Sequence, residues 1–203
     1  MGEIAMLAGL YQSAVTLLLA VAFYTQDIYL IRRFDPDRVA GSARSWSWTL
    51  FAVLLAAVVV LQPVLWPELG LYTSSALGLM VQFLGVLLMA GGLALHWWAR
   101  LHLRQFFGER VEFQSGQWLV ESGPYAYVRH PIYTAFFLCV IGLLLVNPAL
   151  TTLLVVCYFL ADFSRAARQE EALLSAELPG YDEYMRRTSR YVPRLRQILR
   201  SGG

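Results

Sequence analysis

Five apolar runs, separated by polar and turn-rich segments, set the pattern of this chain. The first extends from about Ile4 to Ile31, where Leu, Val, Ala and aromatic residues dominate until Arg32-Arg33 stop it. A second covers Trp46 to Leu65 and a third Ser75 to Trp98, while two shorter runs, Pro131 to Leu145 and Pro148 to Phe163, flank the turn dipeptide Asn147-Pro148. Several approach the roughly 20 residues that a spanning helix needs. The pattern therefore predicts an all-α, polytopic membrane protein with about five transmembrane helices, the last two forming a tight hairpin.

The residues that interrupt the runs fit this reading. Trp46, Trp48 and Trp66 bracket the second run as an interfacial belt would, and Pro63, Pro67 and Gly70 supply a stop and a short turn. Gly78, Gly85, Gly91 and Gly92 in the third run would let neighbouring backbones approach closely. They do not form a phosphate loop, because no Gly-x-Gly-x-x-Gly follows a predicted strand. From Ser164 the chain alternates Leu173, Leu174, Leu178, Tyr181, Tyr184 and Met185 with charged residues, which predicts an amphipathic helix at the membrane surface, broken at Pro179-Gly180.

Composition agrees: 58% of the 203 residues are hydrophobic and 15% charged, against about 45–50% and about 25% in soluble domains. The mean hydropathy of +0.52 points the same way. One membrane domain over 1–203 is expected, with no separate soluble domain. The first run is too long for a signal-peptide core and follows an acidic start, so it is read as a retained helix. Cys139 and Cys157 lie inside apolar runs and behave as small hydrophobes; no metal site is expected.

A formal charge of +2 is too small to suggest nucleic acid, but its distribution is informative. All sixteen basic residues are Arg, and all fall in 32–44, 100–129 or the tail. By the positive-inside rule these segments face the cytoplasm.

One of them carries the candidate chemistry. Gly123-Pro124-Tyr125-Ala126-Tyr127-Val128-Arg129-His130-Pro131-Ile132-Tyr133 begins with a turn and ends where Pro131 can open a helix at no hydrogen-bonding cost. Arg129 and His130 are left at the helix mouth, where free N–H groups and a guanidinium suit an anion such as a carboxylate. Tyr125, Tyr127 and Tyr133 add aromatic faces suited to a cationic ligand group.

The same stretch resembles the signature of the isoprenylcysteine carboxyl methyltransferase and phospholipid methyltransferase group of membrane enzymes. Ala99 to Phe107, Leu119-Val120-Glu121-Ser122, Glu170-Glu171-x-x-Leu174, Gly180-Tyr181-x-x-Tyr184 and Pro193 are similar to the group's flanking motifs. The likeness covers about residues 95–195. Ala135, where the group usually has Gly, and Leu178-Pro179-Gly180, where Phe-Gly is usual, depart from it.

The resemblance implies S-adenosylmethionine as cofactor, held at the cytoplasmic membrane surface within about 95–195. The cofactor-binding candidates are Tyr125, Tyr127, Val128, Arg129, His130, Pro131, Tyr133, Glu170 and Glu171. Arg129 and His130 would take the carboxylate of its methionine part, and Glu170 or Glu171 its amino or ribose hydroxyl groups. The catalytic candidates are His130, Arg168 and Glu171; Arg168 and Glu171 are three apart on a helix and could pair. His102 is a further candidate base, whereas His96 reads as an interfacial residue.

The expected partner is a lipophilic small-molecule acceptor drawn from membrane lipid: a prenylated cysteine carboxylate, a lipid amine or another small lipid. A carboxylate acceptor needs no general base, whereas an amine or phenol does. No obligate protein partner is evident. Two other readings compete. The sterol reductases share an Arg-His-Pro-x-Tyr element and use NADPH, but they are much longer; a non-catalytic scaffold could keep the same fold.

Overall fold

The computed structural model describes residues 2–34, 46–71, 75–104 and 118–194. The expectations placed on 35–45, 72–74, 105–117 and 195–203 lie outside the described residues, as do the side chains of Trp46 and Trp48. Five long helices occupy the five apolar runs: α1 Gly2–Phe34, α2 Trp46–Leu65, α3 Ala76–Leu103, α4 Pro131–Val146 and α5 Leu150–Glu177. A short α6 follows at Tyr181–Arg187. No strand occurs among the described residues.

Gly9–Phe34, Ala76–Leu103 and Leu150–Glu177 are long and apolar enough to cross a membrane, while Ala56–Leu65 and Pro131–Val146 are shorter apolar helices. Leu17, Leu18, Leu77, Leu79 and Leu154 are exposed, as lipid-facing residues are.

Two boundaries differ from the sequence expectation. α3 runs on to Leu103, bringing His96, Arg100 and His102 onto one helix. The fifth apolar run and the first part of the amphipathic tail form one uninterrupted helix, α5, instead of a span followed by a separate surface helix. Nothing between Phe163 and Glu177 breaks a helix; Ala, Arg, Gln, Glu and Leu there are strong helix formers. The break comes at Pro179-Gly180, where Gly180 adopts φ 84° ahead of α6.

The chain divides into two compact units, residues 1–90 with 138–159 and residues 91–137 with 160–203. In the first, Ser13 Oγ donates to the Val60 carbonyl at 2.5 Å, tying α1 to α2. Fully buried Asn147 donates to Gln62 Oε1 at 3.1 Å and to the Val59 carbonyl at 3.3 Å. Gly85 of α3 and Gly142 of α4 face each other: a Cβ on Gly85 would stand 2.6 Å from the Gly142 carbonyl oxygen. Close helix approach of this kind is what small residues permit in membranes.

The second unit holds the signature turn and the tail. Leu174, Leu178, Tyr181 and Tyr184 form a buried cluster against Leu119 and Met185, so α6 folds back on the end of α5. Ala99, Tyr125 and Ile132 form another with Leu103, Val120 and Phe136.

Candidate active site

The signature turn is built as its residues dictate. Gly123 to Ala126 make a single 3-10 turn with Pro124 at its start, and Gly123 adopts φ 60°, a conformation that side chains resist. A Cβ there would also stand 2.5 Å from the His102 ring. Pro131 then opens α4 as its first residue.

What the turn alone does not reveal is that the tail closes over it. The Arg129 N–H donates to the Ser189 carbonyl at 2.8 Å and the His130 N–H to the Arg190 carbonyl at 3.1 Å, with a parallel bridge between Val128 and Ser189. Thr134 Oγ1 donates to the Tyr191 carbonyl at 3.0 Å. Tyr184 donates its hydroxyl to the Tyr125 carbonyl at 2.7 Å. Burial pushes the Tyr184 and Tyr125 hydroxyls well above their ordinary titration range, so both remain neutral.

An ionic cluster forms at the junction. Glu171, buried, receives Arg129 Nε at 2.9 Å and Arg129 Nη2 at 2.8 Å on Oε1. Arg190 Nε donates to the same oxygen at 3.0 Å, and Arg190 Nη2 pairs with Oε2. Arg129 Nη1 donates to the carbonyls of Met185, at 2.9 Å, and Thr188. Each guanidinium thus offers two donors to one carboxylate, among the stronger hydrogen-bonding arrangements available to side chains.

His130 stands between two carboxylates. Its Nε2 lies 3.1 Å from Glu171 Oε1 and its Nδ1 3.5 Å from Glu170 Oε2. Burial alone would lower its pKa, but hydrogen bonding to Glu170 and Glu171, with their charges, outweighs that and raises it. With both ring nitrogens facing acceptors, the imidazolium form is favoured. Arg190 is likewise held more firmly protonated by its hydrogen bonds to Glu171.

An aromatic wall continues from His130. Tyr133 stacks on it at 5.4 Å between ring centroids, Phe163 on Tyr133 at 5.6 Å and Phe136 on Phe163 at 4.8 Å. Tyr191 lies 6.1 Å from His130 and 5.0 Å from Phe137.

The structure therefore brings Arg129, His130, Tyr133, Glu170 and Glu171 together; Val128 and Pro131 are buried and Tyr127 is partly buried. Arg168 is exposed, and the cationic partners of Glu171 are Arg129, Arg190 and His130. His102 Nδ1 bonds to the Trp98 carbonyl at 2.9 Å, beside Gly123. Sequence reasoning missed Arg190 and the carbonyls of Met185, Thr188 and Ser189. An Arg in a tail with eight of them carries no local mark, and backbone acceptors leave no trace in residue type.

The group has the elements of a site for a zwitterionic, partly cationic ligand. The Glu170 side chain is 36% exposed and so is that of Arg190, leaving an anion and a cation accessible beside partly buried rings.

Comparison with known proteins bears on these residues. Residues 83–176 match the model of the isoprenylcysteine carboxyl methyltransferase (ICMT) family. Over 78 residues, 38% of this chain, it is 36% identical to nickel-cobalt-cadmium resistance protein NccN of Alcaligenes xylosoxydans xylosoxydans. The identity is 36% over an equal stretch of cobalt-zinc-cadmium resistance protein CzcN of Cupriavidus metallidurans. The matched stretches span only 37% and 36% of those relatives. The fold is similar to that of the eukaryotic intramembrane Ras methyltransferase ICMT, with TM-score 0.60 and 22% identity over 94% of this chain and 72% of that one.

Proposed function

We infer from the match of residues 83–176 to the isoprenylcysteine carboxyl methyltransferase family model that the chain belongs to that family and transfers a methyl group from S-adenosylmethionine to a lipophilic acceptor at the membrane surface. The observation that carries this reading is the gathering of Glu171 with Arg129, Arg190 and His130, and of the open Glu170 beside them.

The residues fit the cofactor by chemistry. Glu170 is an acceptor for an ammonium or for ribose hydroxyls, and Arg190 a cation for a carboxylate. Tyr133, Tyr191 and Tyr127 provide rings for a positively charged sulfur centre. Arg129 acts in this reading as a frame member, because its donors are engaged by Glu171, Met185 and Thr188. His130 fixes the directions of Glu170 and Glu171 at once, and Glu171 keeps the two guanidinium groups from repelling each other apart.

When bound, S-adenosylmethionine supplies an electrophilic methyl group on a sulfonium whose departure leaves a neutral thioether. The protein's share is to hold acceptor and donor in line and to exclude water. Tyr133, Phe136 and Phe163 serve the exclusion, since their stacked faces leave an apolar boundary beside the charged cluster. Placement of the site on the cytoplasmic side rests on the arginine distribution.

Calorimetry on the purified chain in detergent tests the reading. Saturable S-adenosylmethionine binding is expected, weakened at least roughly tenfold by Glu170→Gln or Arg190→Ala, the loss of one charge-assisted bond. Binding of NADPH and not S-adenosylmethionine would replace the methyltransferase with the reductase reading, and binding of neither would leave the scaffold.

A further inference from the structure

Tyr191 lies on the tail segment that closes over the signature turn, and its main chain is fixed there. The His130 N–H donates to the Arg190 carbonyl at 3.1 Å and Thr134 Oγ1 to the Tyr191 carbonyl at 3.0 Å. The Tyr191 ring is held as well, tilted against His130 at 6.1 Å and edge-on to Phe137 at 5.0 Å. Its hydroxyl oxygen is buried, yet among the described residues it has no hydrogen-bond partner. The Tyr184 hydroxyl, by contrast, is engaged by the Tyr125 carbonyl. Nearly all buried polar groups in folded proteins are satisfied, so one held rigidly and left over is a candidate for contact with a ligand.

Its surroundings say which part of a ligand. Tyr133 stacks on the same imidazole at 5.4 Å, and the Tyr133 hydroxyl is within electrostatic reach of both Glu170 and Tyr191. Phe163 lies 5.6 Å from Tyr133 and 6.4 Å from Phe137. Tyr191 thus joins a group of aromatic rings beside the ionic cluster. The charges of that cluster already have their tasks: Glu171 is met by Arg129, Arg190 and His130, and the more open Glu170 is the acceptor for an ammonium. What Tyr191 adds is a neutral oxygen with two lone pairs among apolar faces.

We propose that the Tyr191 hydroxyl oxygen is the contact for the methylsulfonium centre of the cofactor, so that the site distinguishes the methylated cation from its neutral thioether product. This rests on the methyltransferase reading and adds a residue and a selectivity to it. A sulfonium carries its charge without any N–H or O–H to donate. Its recognition falls to aromatic faces and to oxygen lone pairs that accept its polarised C–H bonds. The rings of Tyr133 and Tyr191 offer the first, and the Tyr191 oxygen the second. Both attractions lapse for the uncharged thioether, whereas those of Glu170 and Arg190 for the amino-acid part are the same for either molecule.

The test compares wild type, Tyr191→Phe and Tyr191→Leu as full chains in detergent. Calorimetry gives the affinity of each for S-adenosylmethionine and for S-adenosylhomocysteine, and thermal unfolding without ligand gives stability. Tyr191→Phe should bind S-adenosylmethionine about threefold more weakly, as the loss of one C–H···O contact implies, with S-adenosylhomocysteine held within about 1.5-fold. Tyr191→Leu, which also removes the ring, should weaken S-adenosylmethionine by about tenfold in all. Without ligand, Tyr191→Phe should melt at or above the wild-type temperature, because it removes a buried hydroxyl that lacks a partner.

An unchanged ratio of the two affinities in Tyr191→Phe, or equal losses for both molecules, would overturn the assignment. So would a lowered melting temperature of Tyr191→Phe without ligand, since the hydroxyl would then serve the fold. Should Tyr191→Leu not fold, Tyr191→Phe decides alone. Absence of saturable S-adenosylmethionine binding by wild type would sink the methyltransferase reading, and this assignment with it.

Discussion

Arg129 and Glu171 lie 42 residues apart in sequence, yet Nε and Nη2 of the one stand 2.9 Å and 2.8 Å from a single oxygen of the other. That oxygen also receives Arg190 Nε at 3.0 Å and faces His130 Nε2 at 3.1 Å. Three cations thus depend on one buried carboxylate, and the consequences of altering it differ sharply from those of altering its neighbour.

Glu171→Gln leaves Arg129, Arg190 and a protonated His130 facing a neutral amide. Removing one partner of a buried pair costs about 3–5 kcal/mol; the partial exposure of Arg190 puts the expectation near the lower end, about 3 kcal/mol. Glu170→Gln alters a carboxylate that is 36% exposed, so stability should change by less than about 1 kcal/mol. Thermal unfolding in detergent, read beside S-adenosylmethionine affinity, separates them: Glu171→Gln should lower both, Glu170→Gln mainly the affinity. Equal stability losses would contradict the division of roles between frame and ligand contact.

The proton on His130 should make stability depend on pH in a defined direction. Its pKa in the folded chain is raised above the ordinary 6.5, so the folded state binds the proton more tightly than the unfolded one. The contribution is complete below 6.5 and disappears as pH climbs through the raised value. Melting temperatures of wild type and His130→Gln across that interval give the readout. The difference between them should be largest at low pH and shrink as pH rises; a difference growing with pH would mean the neutral ring is the one the fold favours.

The surroundings of the helix glycines predict unequal effects for chemically identical substitutions. A Cβ at Gly142 would lie 2.5 Å from the Gly85 carbonyl oxygen and 2.6 Å from Met89 Cγ, whereas nothing lies within 4 Å of one at Gly91. Gly142→Ala should therefore destabilise by about 1–3 kcal/mol through overpacking. Gly91→Ala should be neutral or stabilise by up to about 1 kcal/mol through helix propensity. Melting temperatures of the two variants suffice to check this.

Much of the fold was legible because apolar length and turn chemistry are local. Pro131 opens α4 and Pro179-Gly180 ends α5 where their backbone restrictions require. The continuity of α5 was less visible, since a change from apolar to amphipathic composition at Ser164 alters what a helix faces without ending it. Of the site, the signature turn and the Glu170-Glu171 pair could be read from residue type and resemblance. Arg190 could not, because its role comes from a strap that returns to Val128 and His130 through backbone hydrogen bonds. Arg168 looked equally able to meet Glu171 by spacing alone, but it is exposed, and buried Glu171 is met by Arg129, Arg190 and His130.

That strap is anchored at one further point, which can be tested without touching a charge. Tyr184 donates a 2.7 Å hydrogen bond to the Tyr125 carbonyl from a fully buried position, joining α6 to the turn that carries Arg129 and His130. Tyr184→Phe keeps the ring in the cluster with Leu174, Leu178 and Tyr181 but leaves that carbonyl without this donor. A loss of about 1–2 kcal/mol is expected, the cost of one buried unsatisfied acceptor. If the strap holds the ionic cluster together, cofactor affinity should fall as well, although the hydroxyl touches none of the charged groups. Hydrogen exchange at the Arg129 and His130 amides distinguishes this from general loosening. Their protection should drop more than that of amides in α2, and an equal drop in both would make Tyr184 a packing residue alone.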